Sequence, residues 1–419
     1  MSPTRPTFSE ALRFWLKLGL ISFGGPSGQI AIMHAELVEK KKWIDEEHFL
    51  HALNYCMLLP GPEATQLATY CGWLLHRTWG GIVAGVLFVL PSALLLWVLS
   101  FIYVSYGQVA WLAAAFNGLK PAVAAIVLAA VWRIGRRALK HWLHWAIALA
   151  ALAALLFFGV PFPLVLAAAA AIGLLFKTSS AQPSTSTATE LTASASSIKY
   201  TLTVLIVGLA VWWAPVLFVG LAQGWSGTLA QQGFFFSKAA LITFGGAYAV
   251  LPYVGQQAVQ NYGWLTTPQM LDGLGLAETT PGPLIIVLQF VGFLGSWNHP
   301  GTLSPLASAT LGAAITTWTT FVPSFLFIFA GAPYIERLRK VTWLNQAMTA
   351  VTAAVVGVIL NLAIWFGGHV FFSGSGDANW FSIIVAALSL LALQRFKASV
   401  VLVIAGCAIL GVGKHLLVR

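Results

Sequence analysis

Long apolar stretches constrain the fold of this chain more than any other feature of its sequence. A helix needs about 20 predominantly apolar residues to cross roughly 30 Å of hydrocarbon, and about a dozen such stretches follow one another with short polar loops between them. Only 8% of the residues are charged, whereas soluble chains carry about 25%. We therefore predict an all-α, polytopic membrane protein. This excludes a nucleic-acid-binding protein, a disulfide-stapled secreted domain and a disordered regulator.

The cysteines and histidines predict no metal site and no cofactor. Cys56, Cys71 and Cys407 form no close pair and are odd in number, which argues against a disulfide framework or a metal knuckle. His48 and His51 share a helical face, but they belong to a polar run that follows three lysines. That context is typical of a solvated loop.

The two halves of the sequence match each other at a constant offset of 221 positions. Between Phe14 and Pro62 the ungapped offset gives 14 identities in 49 positions. The matches include Phe23-Gly24-Gly25 with Phe244-Gly245-Gly246, as well as tryptophan, lysine and proline, so biased apolar composition explains them poorly. We infer an internal duplication.

The duplication and the charge distribution predict four segments. Residues 1–176 form the first repeat, 177–198 a cytoplasmic linker rich in Ser, Thr and Ala, 199–223 a connecting transmembrane helix, and 224–419 the second repeat. Cytoplasmic loops collect basic residues, which explains the net charge of +10 without a polyanionic partner.

Basic loops also predict the orientation of the repeats. Lys40, Lys41 and Lys42 follow the opening segment of the first repeat, whereas the equivalent residues 261–263 carry no charge. Arg133, Arg136 and Arg137 form a further basic stretch in the first repeat, which we assign to the cytoplasmic side. We therefore expect two repeats of inverted topology.

Glycine and proline interrupt apolar helical stretches twice in each repeat. Proline removes a backbone donor and glycine weakens a helix, and the freed backbone groups are tolerated in a bilayer only where protein or water satisfies them. We predict broken helices or re-entrant hairpins that meet near the bilayer midplane, where half-helix N-termini suit an oxyanion. The residues predicted to bind the substrate at these breaks are Gly24, Gly25, Ser27, Gln29, Asn54, Pro60, Gly61, Pro62, Gly245, Gly246, Tyr248, Thr279, Thr280, Pro281, Gly282 and Pro283.

Five ionisable residues near the breaks are functional candidates, because charge inside a membrane segment is costly. Lys17 and Lys238 occupy equivalent positions and would give an anion pathway two cations; the alternative is that both reach the membrane interface. Glu63 and Glu278 would bind and release a coupling proton. The alternative role for Glu63 is to cap a helix N-terminus, and the alternative role for Glu278 is an ion pair with a basic neighbour. Asp272 is a weaker candidate at the external mouth.

The motifs at the breaks carry a family resemblance. The stretches from Phe23 to Ala31, Leu53 to Ala64, Phe244 to Tyr248 and Ala277 to Leu284 resemble the chromate ion transporter family in its long, two-domain form. The resemblance covers essentially the whole chain. It implies a multi-pass protein of the bacterial inner membrane that exports chromate, with sulfate as a related oxyanion and the proton motive force as the energy source.

The resulting hypothesis is a secondary transporter for a tetrahedral oxyanion, with chromate, the lipid bilayer and protons as partners, no nucleic acid, and a homodimer left open. A sulfate or molybdate permease or exchanger and a passive anion channel share the same features. An intramembrane enzyme is the alternative from another class. It lacks support, because the sequence has no nucleophile with an evident base, no metal-binding motif of useful spacing and no phosphate loop.

Overall fold

The structure, a computed structural model, consists of α-helices joined by short turns. It describes residues 6–23, 25–175, 195–334, 342–372 and 376–417, without the side chains of residue 27, residues 195–197 and residues 342 and 344. Within these ranges the only β contact is an isolated bridge between Phe372 and Ala378. The α-helices are α1 (Phe8–Ile21), α2 (Gly25–His34), α3 (Glu46–Cys56), α4 (Glu63–Tyr106), α5 (Ala110–Ala138), α6 (Trp142–Phe158), α7 (Phe162–Leu175), α8 (Ala195–Gln223), α9 (Thr228–Leu241), α10 (Ala247–Gln256), α11 (Thr267–Thr279), α12 (Val287–Asn298), α13 (Pro305–Gly331), α14 (Thr342–Phe371), α15 (Trp380–Gln394) and α16 (Val400–Leu417).

Six helices are long and apolar enough to cross a membrane, which confirms the prediction of an all-α, polytopic membrane protein. Four shorter apolar segments accompany them among the described residues. The six are Glu63–Tyr106, Ala110–Ala138, Ile198–Gln223, Pro305–Tyr334, Asn345–Phe371 and Val400–Leu417. The shorter ones are Trp142–Phe158, Phe162–Leu175, Leu284–Asn298 and Trp380–Gln394.

Two helix boundaries differ from the sequence prediction. Helix α8 begins at Ala195, inside the segment predicted as linker, with alanine, the strongest helix former, at its first position. Residues 177–194, the rest of that linker, lie outside the described residues. Helix α4 consists of two helical segments that meet at His76 and Arg77, where the backbone leaves helical geometry and Arg77 has a φ of 54°. The two segments pack against each other, since a Cβ atom on Gly72 would lie 2.4 Å from the carbonyl oxygen of Gly80.

Local features of the first repeat recur 221 positions later. A π-helical turn follows α2 at Ala35–Lys40, and another follows α10 at Gln257–Asn261. The amide of Trp43 donates to the carbonyl of Leu37 at 2.9 Å, and its counterpart Trp264 donates to Ala258 at 2.8 Å. The same sequence pattern therefore produces the same turn in both halves.

The two halves also exchange packing partners. Helix α5 of the first half packs against α15 and α16 of the second, while α14 of the second half packs against α6 and α7 of the first. Glycine permits these close contacts: a Cβ atom on Gly118 would lie 2.2 Å from the carbonyl oxygen of Cys407, and one on Gly357 would lie 2.1 Å from that of Ala148. Each half therefore completes its packing with helices of the other.

Candidate functional site

The four predicted helix breaks meet as two crossing pairs. The amide of Gly61, in the Pro-Gly-Pro break of the first half, donates to the carbonyl of Thr243 at 2.7 Å. The amide of Gly282, in the equivalent break of the second half, donates to the carbonyl of Ser22 at 2.7 Å. Each Pro-Gly-Pro break is thus hydrogen-bonded to the residue two positions before the Gly-Gly break of the other half.

Glycine is required at the centre of both Pro-Gly-Pro breaks. Gly61 has a φ of 124° and Gly282 a φ of 100°, conformations that residues with a Cβ atom rarely adopt. A Cβ atom would lie 2.6 Å from Ser324 Oγ at the first position and 2.6 Å from Ser92 Oγ at the second. Both serines follow a proline within a long helix, at equivalent places in α4 and α13.

Helices restart immediately after each break. Pro62 precedes α4, and Pro283 precedes a short 3-10 turn, Leu284–Ile286, that leads into α12. Gly25 begins α2, and Gly246, with a φ of 92°, caps α10. Helix N-termini near the breaks offer unpaired amide groups, the feature that suits an oxyanion.

Side-chain amides satisfy carbonyl groups that the breaks leave free. Gln29 is fully buried, and its Nε2 donates to the carbonyls of Gly282 and Ser22. Gln66 is also fully buried and donates to the carbonyl of Pro60 at 2.7 Å. These contacts meet the requirement that backbone away from water finds a partner.

A narrow cavity of about 20 Å³ lies beside the breaks and is lined by both halves of the chain. Gly25 lines it from the first half, and Tyr248 and Glu278 line it from the second. The Tyr248 hydroxyl donates a hydrogen bond to a carboxylate oxygen of Glu278. The full lining is Gly25, Ile126, Ala129, Ala130, Arg133, Tyr248, Glu278, Leu393 and Val400.

A wider cavity of about 610 Å³ adjoins the narrow one and carries four cationic side chains. Arg133, Arg136 and Arg137 come from the last turns of α5, and Lys397 comes from the turn between α15 and α16. Arg133 lines both cavities, as do Ala129, Leu393 and Val400. Four cations around one cavity attract and concentrate anions.

The other predicted residues are distributed around the breaks. Pro281, Gly282 and Pro283 are buried, as is Thr280, while Thr279 is partly exposed. The hydroxyls of Thr279 and Thr280 donate to the carbonyls of Leu276 and Ala277 and so complete the last turn of α11. Gly24 and the side chain of Ser27 lie outside the described residues.

Lys17, Lys238 and Asn54 are exposed, and none of them lines either cavity. Glu63 is the first residue of α4, directly after the first Pro-Gly-Pro break, and it also lies outside both linings. Among the predicted carboxylates, the structure therefore brings Glu278 into the cavity. In the part of the chain that is described, no three His, Cys, Asp or Glu side chains come together to hold a metal ion.

Sequence reasoning missed Arg133 as a site residue. The cluster of Arg133, Arg136 and Arg137 was assigned to a cytoplasmic loop, whereas all three belong to α5 and line the wider cavity. Their spacing held a signal, because positions three and four apart lie on one face of a helix.

Discontinuous helices that cross between two similar halves, next to a cavity lined by cations, define a membrane transport protein. Comparison with known proteins agrees with that class. The chain belongs to the chromate transporter family, which matches residues 9–174 and 230–412.

Three relatives span nearly all of the chain. A chromate transport protein of Pseudomonas aeruginosa is 33% identical over 418 residues, which cover 98% of this chain and 93% of that protein. A chromate transport protein of Cupriavidus metallidurans is 28% identical over 417 residues, 97% of this chain and 94% of that protein. A probable chromate transport protein of Synechococcus elongatus is 28% identical over 365 residues, 86% of each chain. No solved structure matches the chain.

Proposed function

We propose that this protein is a secondary transporter that exports chromate across the bacterial inner membrane and uses the proton motive force. The single observation that carries the proposal is the pair of adjoining cavities: four cations line the wider one, and Gly25 of a first-half break lines the narrower one together with Tyr248 and Glu278, which lie beside the second-half breaks. The names of the relatives support chromate as the substrate. These names describe transport proteins, which favours transport over catalysis.

The cavities suggest the first steps of transport. A chromate dianion is attracted by Arg136, Arg137 and Lys397 and then reaches Arg133, the cation that both cavities share. The N-terminus of α2 at Gly25 adds amide groups and the positive end of a helix dipole. An arginine and a helix N-terminus are together suited to a tetrahedral oxyanion.

The size of the narrow cavity implies a conformational change. A volume of about 20 Å³ has room for about one water molecule, so an oxyanion passes only when the cavity widens. Leu393 of α15 and Val400 of α16 form one wall, and Ile126 and Ala130 of α5 form another. Separation of α5 from α15 and α16 is the movement that would open it.

Charge favours export over uptake. Moving a dianion outward through an inside-negative potential gains about 4.6 kcal/mol per 100 mV, twice the value for one elementary charge. Protons that move inward through Glu63 and Glu278 would add the pH gradient to this driving force. The hydrogen bond from Tyr248 to Glu278 supports a role for Glu278, since the hydroxyl stabilises the carboxylate between proton transfers.

The repeats are proposed to be inverted, with the wider cavity on the cytoplasmic side. Lys41 is exposed in a basic turn, and Asn261, the counterpart of the neighbouring Lys40, is exposed in a turn without charge. The cations of the wider cavity likewise favour the cytoplasmic face.

Tracer flux in everted membrane vesicles tests the function. We expect saturable chromate accumulation that a pH gradient stimulates and excess sulfate inhibits, compared with vesicles that lack the protein. Glu278→Gln should lose the pH dependence, and Glu63→Gln reports whether the first carboxylate shares that role. Sulfate flux without chromate flux would show that the substrate is sulfate and not chromate. The absence of flux for both anions would overturn the proposal.

A further inference from the structure

Helix α11 carries a second buried carboxylate, Asp272, that lies outside both cavities. Its side chain is only 6% exposed. The Tyr103 hydroxyl donates to Asp272 Oδ2 at 2.9 Å, and Lys120 Nζ lies 3.8 Å from Oδ1. Oδ1 is buried and accepts no hydrogen bond from the described residues. Oδ2 therefore accepts the Tyr103 hydrogen bond, while Oδ1 has no donor among the described residues and can bind a proton.

Asp272 repeats the arrangement found at Glu278. In both cases a tyrosine hydroxyl from another helix donates to a buried carboxylate of α11. The two acids are six residues apart in the sequence, which corresponds to about 9 Å along a helix. One helix thus presents two similar groups at different depths.

The cations of α5 show the direction in which the two acids are arranged. Lys120, beside Asp272, lies about 15 Å along α5 from its first residue, and Arg133, which shares a cavity with Glu278, lies about 35 Å along it. Tyr103 is close to the end of α4, just before the turn that leads into α5. Asp272 therefore lies toward the face opposite the wider cavity.

The surroundings of Asp272 contain two titratable groups. Helix α4 contributes Tyr103, and α5 contributes Lys120, whose Nζ also donates to Asn117 Oδ1 at 2.9 Å. On the α12 side, Phe290 packs against the neighbouring Gly273. Within the described ranges, Tyr103 and Lys120 are the charged or titratable groups that interact with Asp272.

We propose that Asp272, held by Tyr103 and Lys120, is a second proton-binding site, which the proton reaches from the face opposite the wider cavity. Ionised Asp272 neutralises the charge of Lys120, so that the end of the path opposite the wider cavity does not attract anions. A proton that binds at Oδ1 neutralises the carboxylate and leaves the Lys120 ammonium free to attract the departing oxyanion. Release of that proton restores the ion pair. The inference rests on the proposed function, because it assumes that an oxyanion moves along α5 and α11.

The geometry of the Asp272–Lys120 pair differs from that expected of a purely structural ion pair. An Nζ to Oδ1 distance of 3.8 Å exceeds hydrogen-bonding distance, and Lys120 retains 22% exposure, so the pair is loose. Burying a carboxylate is costly unless its partners are well placed. The substitution Asp272→Asn keeps the side-chain shape and the oxygen acceptor for Tyr103, and it abolishes proton binding.

Purified protein in liposomes separates coupling from binding. Chromate exchange at equal pH on both sides measures the anion path alone, and accumulation driven by a pH gradient measures coupling. We expect Asp272→Asn to retain exchange within about twofold of the unmodified protein and to lose stimulation by the gradient. Glu47→Gln, which changes an exposed acid in the same way, serves as the control and should retain both activities.

Tyr103→Phe provides a variant that keeps the carboxyl group. Loss of the hydroxyl removes a donor to the ionised form, so we expect the midpoint of the external-pH dependence of accumulation to move to higher pH, with exchange retained. If Asp272→Asn loses exchange as well, the Tyr103→Phe profile decides, and an unshifted midpoint overturns the inference.

Two further outcomes overturn it in different ways. If the pH gradient still stimulates accumulation by Asp272→Asn, then Asp272 is not a coupling site. That result would overturn this inference and leave the proposal of chromate transport standing. If the unmodified protein exchanges no chromate, both the proposed function and this inference are wrong.

Discussion

Arg133 is the residue on which the proposed path depends most, because it lines both cavities. It shares the narrow cavity with Glu278 and Tyr248, and it shares the wider one with three other cations. A guanidinium in this position can pair with the oxyanion before the narrow cavity opens.

Arg133→Ala should weaken chromate transport more than Lys238→Ala. A hydrogen bond to a charged group contributes about 1.5–3 kcal/mol, so we expect the chromate concentration for half-maximal transport to rise about tenfold or more in Arg133→Ala. Lys238 is exposed and outside both linings, and its removal should change that concentration less. Flux against chromate concentration in vesicles measures both. Equal loss in the two variants would favour the lysine pathway that the sequence predicted.

The sequence identified Glu278 and Tyr248 because they flank a glycine or proline break, where a polar side chain is unexpected. It did not identify Arg133, since basic residues at the end of an apolar helix already have an explanation as a topology signal. It named Asp272, but Tyr103 and Lys120 lie on other helices, and only tertiary packing shows that they meet it. The roles of Lys17, Lys238 and Glu63 stay predictions.

At the scale of elements, the breaks act as pairs. The amide of Gly61 is bonded to Thr243 and that of Gly282 to Ser22, so each break is fixed by the opposite half. A movement at one crossing is therefore transmitted to the other half through a direct hydrogen bond. This coupling suits a site formed between two repeats.

Gly61→Ala and Gly282→Ala should destabilise the protein and impair transport. Each adds a Cβ atom 2.6 Å from a serine hydroxyl at a φ above 90°, and strained backbone costs about 1–3 kcal/mol per residue. Thermal unfolding in detergent, together with flux, measures the effect. Gly159→Ala is the matched control, because Gly159 also has a positive φ of 58° but its Cβ would meet nothing within 4 Å. If all three variants unfold and transport alike, the crossings do not constrain the site.

The sequence predicted most helices because a membrane segment has to be apolar and helical, and it predicted the breaks because glycine and proline cause them. It could not predict the bend at His76 and Arg77, which contains neither residue. It also could not predict that Gly61 contacts Thr243 rather than a residue of its own repeat, since a constant offset shows similarity and not contact.

At the scale of the whole molecule, similar halves form an asymmetric site. The packing of α5 on α15 and α16 resembles that of α14 on α6 and α7, yet Arg133 and Glu278 have no charged counterparts at the corresponding positions of the other half. With the inverted topology that we propose, an exchange of conformations between the two repeats would open the path alternately to the two faces of the membrane. Because Arg133 and the other cations of the wider cavity lie toward one face only, we expect the anion to bind from that face.

Lys41→Cys and Asn261→Cys should be labelled from opposite faces of the membrane. Both positions are exposed and lie in matching turns of the two halves, and the native cysteines Cys56, Cys71 and Cys407 are buried, so background labelling is low. A membrane-impermeant thiol reagent should label Lys41→Cys in everted vesicles and Asn261→Cys in intact cells. Labelling of both from one face would show that the repeats are not inverted.

The most direct test of the central claim is the position of bound chromate. Crystals grown with chromate and measured at the chromium absorption edge give an anomalous signal from the metal atom alone. The proposed path predicts a peak in contact with the Arg133 guanidinium, at the junction of the two cavities and facing Gly25. A peak beside Lys17 or Lys238, away from both cavities, would contradict that path and place the anion site elsewhere.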